Sequence, residues 1–360
     1  MPIKVAINGF GRIGRAAYKL IQENKNLEVV AVNDLGSPRV LLHLLKYDSA
    51  YGTYDREVHL EEYNTKIPEY AWDEASEYFN ADPVYPAYLV SNKSRAQLFS
   101  EKDPINLPWK DLEVDVVLEC TGFFVKDDAA QVHIKAGAKK VLISAPAKGG
   151  QTQTFLLGAN HDQYLGQNVV SNASCTTNCI SPVISVMKKE FGVLKAGLTT
   201  VHAVTSNQNI VDGMPSPKKP DMRRARAGSF NIIPTTTGAA IATTKAIPEL
   251  TDKFDGIAIR VPIITGSISD ITMLVSRQTT VEEVNNSFIK AAADPYYKNV
   301  LSVSHEPLVS SDIVKNPYSS IVDLAMTKVI DGDFVKVLAW YDNEWGYTSR
   351  LVEMAELVGS

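Results

Sequence analysis

A glycine cluster set between two hydrophobic runs limits the architecture of this chain more than any other feature. Residues 3–8, Ile-Lys-Val-Ala-Ile-Asn, alternate apolar and polar and read as a strand. They lead into Gly9-Phe10-Gly11-Arg12-Ile13-Gly14, after which Ile13, Ala16, Ala17, Leu20 and Ile21 keep helical spacing over 12–24. A second strand, Glu28 to Val32, closes on Asn33-Asp34. Two strands joined through a glycine turn and a helix make a βαβ unit, which implies a doubly wound parallel sheet. A G-x-G-x-x-G alone is weak, but one that follows a strand and opens a helix has a mechanism. Gly9 makes the tight turn, Gly11 admits a pyrophosphate to the helix N-terminus, and Gly14 lets the helix pack close to the sheet. Asp34 stands twenty residues beyond Gly14. There it accepts hydrogen bonds from ribose hydroxyls and repels a 2′-phosphate, which favours NAD over NADP. Three turn glycines and a solvated aspartate are the plainer alternative, and the full context disfavours it.

Further strands, Val114–Leu118 and Lys140–Ile143, end at Glu119-Cys120-Thr121-Gly122 and Ser144-Ala145-Pro146. Strands ending in small polar residues suit a ligand crevice at the carboxyl edge of a sheet. The texture changes near residue 175. A helix runs from Cys175 toward Glu190, then strand-like segments follow at Leu198–Val204, Gly256–Val261, Ser267–Ser276 and Val335–Tyr341. Their spacing is that of an antiparallel sheet. At 360 residues the chain is too long for one ordinary core. The expectation is a Rossmann-type α/β cofactor domain over 1–174, with an insertion at about 55–90. An α+β catalytic domain with a mostly antiparallel sheet would follow over 175–340, and a C-terminal helix within 341–360 would return to the first domain.

Composition narrows the function classes. Hydrophobic residues make up 45% and charged ones 21%, as in an ordinary globular protein, and a net charge of -5 gives no global pull toward nucleic acid or an anionic membrane. Three cysteines, Cys120, Cys175 and Cys179, are too few for a disulfide framework and suit a reducing compartment. No apolar run is long enough to span a bilayer, and neither a leader nor a metal site is expected. The cytoplasm is the expected location.

Ser174 is a natural N-cap, so Cys175 falls in the first helical turn, where free amides and the helix dipole favour a thiolate. Cys179, four residues on, and Cys120, at a strand end, read as packing residues. A thiolate needs a base. His202 ends an apolar strand and so projects from a rigid element, whereas His43, His59, His133, His161 and His305 read as structural. Spacing alone does not pair His202 with Cys175.

Taken together, several segments resemble the glyceraldehyde-3-phosphate dehydrogenase family over nearly the whole chain. They are Ile-Asn-Gly-Phe-Gly-Arg-Ile-Gly-Arg at 7–15, Leu-Leu-Lys-Tyr-Asp-Ser at 44–49 and Ser-Asn-Ala-Ser-Cys-Thr-Thr-Asn-Cys at 171–179. Val-His-Ala-Val-Thr at 201–205, Asn-Ile-Ile-Pro-Thr-Thr-Thr-Gly-Ala-Ala at 231–240, Arg-Val-Pro at 260–262 and Trp-Tyr-Asp-Asn-Glu-Trp-Gly-Tyr at 340–347 complete the set. The resemblance implies Cys175 as nucleophile and His202 as its base. It implies Arg12, Ile13, Asp34, Lys102, Thr121 and Ser144 as contacts of NAD, and Asn343 as partner of the nicotinamide carboxamide. Ser174, Thr176, Thr237 and Gly238 match a pocket for inorganic phosphate, and Thr205, Arg224 and Arg260 match groups around the substrate's own phosphate. A homotetramer is implied as well.

The sequence departs from the family pattern in places. Residues 55–82 carry nine carboxylates against two Lys or Arg, with Tyr63, Tyr70, Trp72, Tyr78 and Phe79 among them. These rings are expected to pack on the outside of the cofactor domain as a surface elaboration. Lys102 replaces an arginine, Thr265-Gly266-Ser267 replaces Asn-Val-Ser, and the loop 213–220 is longer than usual, which bears on coenzyme choice. An erythrose-4-phosphate dehydrogenase is disfavoured by the intact Thr237-Gly238 pair, and a semialdehyde dehydrogenase by the 340–347 segment. A polyanion-binding protein using Lys218, Lys219, Arg223, Arg224 and Arg226 is the rival from another class, set against a net acidic chain.

Overall fold

The computed structural model describes residues 1–62, 65–66, 85–215 and 221–360, the pair 65–66 by its backbone. The chain divides into two units. The first comprises Met1–Thr152, Gly166–Ser171 and Leu351–Ser360; the second comprises Gln153–Leu165 and Asn172–Arg350.

In the first unit the strand Ile3–Asn8 is central. It runs parallel to Leu27–Asn33 on one side and to Val116–Glu119 on the other. Lys140–Ile143 and Val169–Ser171 extend the second side, and Arg95–Phe99 extends the first, all parallel. Strand order therefore reverses beside Ile3–Asn8, so its carboxyl end is the topological switch point where such sheets hold ligands. Helices cover parallel strands on both faces, and the strands read accordingly: Val116–Glu119 is buried at every position. Ala6, Val117, Val141 and Ile143 pack there with Trp109.

Past Arg95–Phe99 the sheet turns antiparallel through Ala87–Ser91, Val58–Glu62 and Thr65–Lys66. Leu60 and Leu89 are buried in these strands. Glu62 meets Arg39 at 3.1 Å, and both side chains are buried. The described borders of the inserted stretch are thus sheet strands that cover the edge of Arg95–Phe99. Alternation at Val58–Glu62 was concealed by its carboxylates. The rings Tyr63, Tyr70, Trp72, Tyr78 and Phe79 lie outside the described residues.

The second unit is built on a sheet that is antiparallel at most pairings. Val193–Ala203 lies between Phe254–Val261, parallel to it, and Ser267–Val275, antiparallel to it. Phe334–Tyr341 follows, then Ser320–Asp323 and Leu301–Ser304, while Ile233–Thr236 pairs the outer side of Phe254–Val261. Ser267–Val275 and Phe334–Tyr341 alternate buried and partly exposed residues, the pattern of a sheet covered on one face. The helix Cys175–Phe191 lies on the covered face, its Cys179, Ile180, Val183 and Met187 sharing a core with Ile271, Met273, Val335 and Val337.

The units differ from the expected domains at their borders. Residues 153–165 and 172–174 belong with the second unit, and the last helix, Trp345–Gly359, contributes only Leu351 onward to the first. Periodicity does not mark such crossings, because a helix continues unbroken through one.

Candidate active site

The helix Cys175–Phe191 opens on the expected cap: Ser174 Oγ accepts the Thr177 amide at 3.2 Å. Asn178 Nδ2 donates to the carbonyls of Asn172 and Ser174, at 2.8 and 3.0 Å, which ties down the entry to the helix. Ala173 there adopts a positive φ of 51°, a conformation that a non-glycine residue holds only when its surroundings impose it. Cys175, the first helical residue, is thereby presented half-buried, with Sγ 3.3 Å from His202 Nε2. His202 comes from the strand Val193–Ala203 and is 2% exposed. Its Nδ1 lies 2.7 Å from the Ala203 carbonyl and 2.6 Å from Arg260 Nη1, which also donates to that carbonyl. Either ring tautomer thus has a partner at Nδ1, and Nε2 is left to the sulfur. Arg260 reaches this place because it is the register partner of His202 on the adjacent strand.

Burial pushes the imidazole of His202 down to about 3, helped by the Arg260 charge and opposed by the Ala203 carbonyl. At neutral pH the ring is therefore an uncharged base. Burial also raises the Cys175 thiol above its ordinary value, against the pull of Arg260, the Thr176 hydroxyl and the amides of Thr176 and Cys175. The amide effect expected from the helix N-terminus is present, but desolvation outweighs it. A thiol beside a neutral imidazole is the resting state this environment favours. Burial pushes the thiols of Cys120 and Cys179 up to about 12, in keeping with packing roles.

Behind the sulfur, Tyr341 OH joins the hydroxyls of Thr176 and Thr200 at 2.9 and 2.8 Å. Two arginines supply positive charge. Arg224 is buried, with Nε bonded to Thr235 Oγ1 at 2.9 Å and Nη2 to the Thr236 carbonyl at 3.2 Å, beside Thr237 and Gly238. Arg260 Nε is buried without a hydrogen-bond partner among the described residues. Its field and that of Arg224 oppose each other. With the Asp221 carboxylate 3.5 Å from Arg224 Nε, the group keeps one positive charge in excess, which suits an anion. Thr237 Oγ1 accepts the Ala239 amide at 3.2 Å, where the helix Ala239–Ala246 begins at Gly238. Thr205 is held through its amide and hydroxyl by Gln208 Oε1, at 2.8 and 3.2 Å. Asn343 Oδ1 accepts from Ser267 Oγ at 2.8 Å, so its amide orientation is fixed with Nδ2 the remaining donor.

The other expected contacts lie in the first unit. Gly9 turns with a φ of +95°, and a Cβ at Gly14 would sit 2.1 Å from the Gly9 carbonyl, so each position requires glycine. The residues fit a dinucleotide by an observation of their own. The helix Arg12–Glu23 has Gly11 as N-cap, with no side-chain cap and no acid in its first turn, and a Cβ at Gly11 would meet nothing within 4 Å. Its amides are therefore open to an anion. Asp34 accepts the amides of Phe10 and Gly36 at 2.7 and 2.8 Å, which ties the acid expected to meet the ribose to the glycine turn. Arg12 pairs with Asp48 at 2.6 Å, and Ile13 follows it half-buried. Thr121 and Ser144 both bond to Glu119, and Lys102 is exposed.

Sequence reasoning quoted the segment containing Tyr341 but gave that residue no part, and it overlooked Thr200 and Gln208. The signal for Tyr341 was its position: a hydroxyl-bearing ring on the inward phase of Phe334–Tyr341. Of the rival basic cluster, Arg226 pairs with Asp212 at 2.7 Å and Arg224 is committed internally, while Lys218 and Lys219 lie outside the described residues. Among the described residues no helix is long and apolar enough to cross a membrane, and no group of His, Cys, Asp and Glu could hold a metal ion.

Two family models match the chain. One, described as the glyceraldehyde 3-phosphate dehydrogenase NAD binding domain, covers residues 3–77 and 71–127, and the other, the C-terminal domain of the same enzyme, covers 174–343. The chain is 47% identical over 363 residues to glyceraldehyde-3-phosphate dehydrogenase 2 of Streptomyces avermitilis. It is 46% identical to proteins named glyceraldehyde-3-phosphate dehydrogenase from Streptomyces coelicolor, over 364 residues, and Mycobacterium tuberculosis, over 366. Each comparison covers 100% of this chain and 99% of the relative.

Proposed function

The chain belongs to the glyceraldehyde-3-phosphate dehydrogenase family, and from that premise we propose that Cys175 and His202 carry out phosphorylating oxidation of glyceraldehyde 3-phosphate. The product is 1,3-bisphosphoglycerate, and NAD is the coenzyme. The observation that carries the assignment of residues is the Sγ to Nε2 distance of 3.3 Å at the start of a long helix.

The Cys175 thiol passes its proton to neutral His202 as sulfur adds to the aldehyde carbon. The imidazolium returns that proton to the carbonyl oxygen, giving a hemithioacetal. His202 then takes the hydroxyl proton as hydride departs, a general-base step of the kind that contributes about 10²–10⁴-fold. NAD, when bound, supplies the nicotinamide ring that takes up the hydride. The enzyme is left as a Cys175 thioester, whose oxyanion transition states call for backbone donors such as the Cys175 amide. Inorganic phosphate attacks the thioester carbon, Cys175 leaves as thiolate, and the acyl phosphate departs. Two anions must be accommodated, and buried Arg224 and Arg260 support that requirement. Thr176, Thr237, Gly238 and Ser174 are assigned to inorganic phosphate, and Thr205, Arg224 and Arg260 to the substrate phosphate. Asn343 Nδ2 is assigned to the nicotinamide carboxamide.

A homotetramer is part of the same reading. It is supported by Ile210, Val211, Met214, Met222 and Phe230, all largely exposed within one segment. A cytoplasmic location accords with the three free cysteines. The test is a steady-state assay with NAD and NADP, with and without phosphate or arsenate. Turnover that depends on the oxyanion and prefers NAD is expected. Unchanged turnover in phosphate-free buffer would replace this reading with a hydrolysing aldehyde dehydrogenase.

A further inference from the structure

Beneath the glycine turn of the first unit lies a polar chain for which the chemistry above has no use. Trp109, His133 and Glu119 are wholly buried, and Asn8 and Asn33 nearly so. Trp109 Nε1 donates to His133 Nδ1 at 3.1 Å. An indole nitrogen can only donate, so Nδ1 accepts and the ring proton sits on Nε2. That nitrogen lies 3.1 Å from Glu119 Oε2, to which Asn8 Nδ2 also donates at 2.6 Å. The second carboxylate oxygen accepts the Thr121 amide at 2.8 Å and the Thr121 hydroxyl. Glu119 thus accepts from four donors, none of them a lysine or arginine.

Both things that Glu119 holds touch the turn. Asn8 is the residue before Gly9, and its Oδ1 accepts from Asn33 Nδ2 at 2.7 Å. The Gly9 amide in turn donates to the Asn33 carbonyl at 2.8 Å. Thr121 lies so close that a Cβ on Gly9 would meet its amide nitrogen at 2.8 Å and its Cγ2 at 2.9 Å. A shift of Thr121 is therefore felt at Gly9 directly.

We infer that Trp109 and His133 are positioning residues for the coenzyme. By orienting Glu119 they fix Asn8 and Thr121, and with them the turn whose amides receive the pyrophosphate. The inference rests on the NAD site lying at Gly9–Gly14. The competing account is that the two rings only fill the core, where Trp109 also meets Phe99 edge-on. A filler needs volume but not direction, and direction is what the experiment removes.

NAD affinity is measured by titration calorimetry on the purified, coenzyme-free enzyme, alongside kcat at saturating NAD and the melting temperature. Trp109→Phe keeps most of the ring and deletes the donor. The expected result is a Kd for NAD weakened by roughly fivefold, the scale of one hydrogen bond, with kcat within about twofold. His133→Gln retains a donor near the Nε2 position but gives up the acceptor for Trp109, and should weaken NAD binding no more than Trp109→Phe does. His133→Asn, too short to reach Glu119, should weaken binding at least as much as Trp109→Phe. Should Trp109→Phe not fold, the Gln against Asn contrast decides. A lowered melting temperature with Kd unchanged in Trp109→Phe and His133→Asn would overturn the inference. Failure of the parent enzyme itself to bind NAD would instead overturn the coenzyme assignment.

Discussion

In the parallel sheet of the first unit Val116–Glu119 is buried throughout, whereas in the second unit Ser267–Val275 alternates buried and half-buried residues along its length. The difference bears on where each unit can keep its functional groups. A strand buried on both faces has no side chain to offer a ligand, so the first unit keeps its candidate groups at strand ends, the amides beside Gly11 and the carboxylate of Asp34. A sheet covered on one face can commit residues within its strands, and His202, Arg260, Ser267 and Tyr341 all come from strands. One unit offers mainly backbone groups at its strand ends, and the other offers side chains from within its strands.

The largest effect expected from this contrast falls on the second unit. Cys175→Ser should cut dehydrogenase activity by about a thousandfold or more while NAD affinity stays within a few fold. Cys179→Ser, one turn deeper and bonded only weakly to the Ala339 carbonyl and Ser320, should do far less. Equal losses in steady-state assays of the two variants would reverse the assignment of nucleophile. The first unit should respond instead to backbone crowding. Gly14→Ala sets a methyl against the Gly9 carbonyl, and a loss of about 2 kcal/mol in denaturant titrations is expected along with weakened NAD binding. Gly11→Ala meets nothing in the protein, so its stability should hold while NAD affinity falls. If both alanine variants bind NAD normally, the turn is not the pyrophosphate site.

Acid sensitivity sharpens the contrast further. The folded-state value for His202 is depressed, so the unfolded chain binds the proton more tightly. Stability from this group is complete above its ordinary value of about 6.5 and is lost as pH falls toward about 3. Replacing the imidazole in His202→Asn should therefore remove about one proton from the acid slope, ~1.4 kcal/mol per pH unit. Melting scans between those limits check this, and an unaltered slope would contradict a neutral buried ring. The smallest effect is expected at Asp34. Asp34→Ala should weaken NAD by up to about tenfold, through loss of the acceptor for two amides, and relax the exclusion of NADP. A parent enzyme already preferring NADP would move the choice of coenzyme elsewhere.

What could be read from the sequence was local. Strand, glycine turn and helix at 3–24 follow from periods of two and 3.6 residues, and the observed helix Arg12–Glu23 agrees. The cap at Ser174 is equally local. His202 could be singled out as a strand-end group, yet its partner could not be named, because 27 residues separate it from Cys175. The Arg260 contact depends on a register between strands 58 residues apart, which no pattern along the chain encodes. His133 read as structural for the same reason: its importance lies in Trp109 and Glu119, brought to it by the sheet. The strand Val58–Glu62 was not read from the sequence because its carboxylates hide the inward Leu60.

One border of the first unit has a bearing on how the molecule is made. Its sheet begins with Ile3, yet the unit also needs Leu351–Ser360, where Gly359 leaves no room for a Cβ against Ile3 and Val116 and Glu356 receives Asn24 and Asn26. Domains commonly fold in order of synthesis as the ribosome releases them. Here the strand Ile3–Asn8 is made well before Leu351–Ser360, which its unit also needs, while the second unit, reaching no further than Arg350, is synthesised ahead of them. The unit that begins first is thus completed after the other.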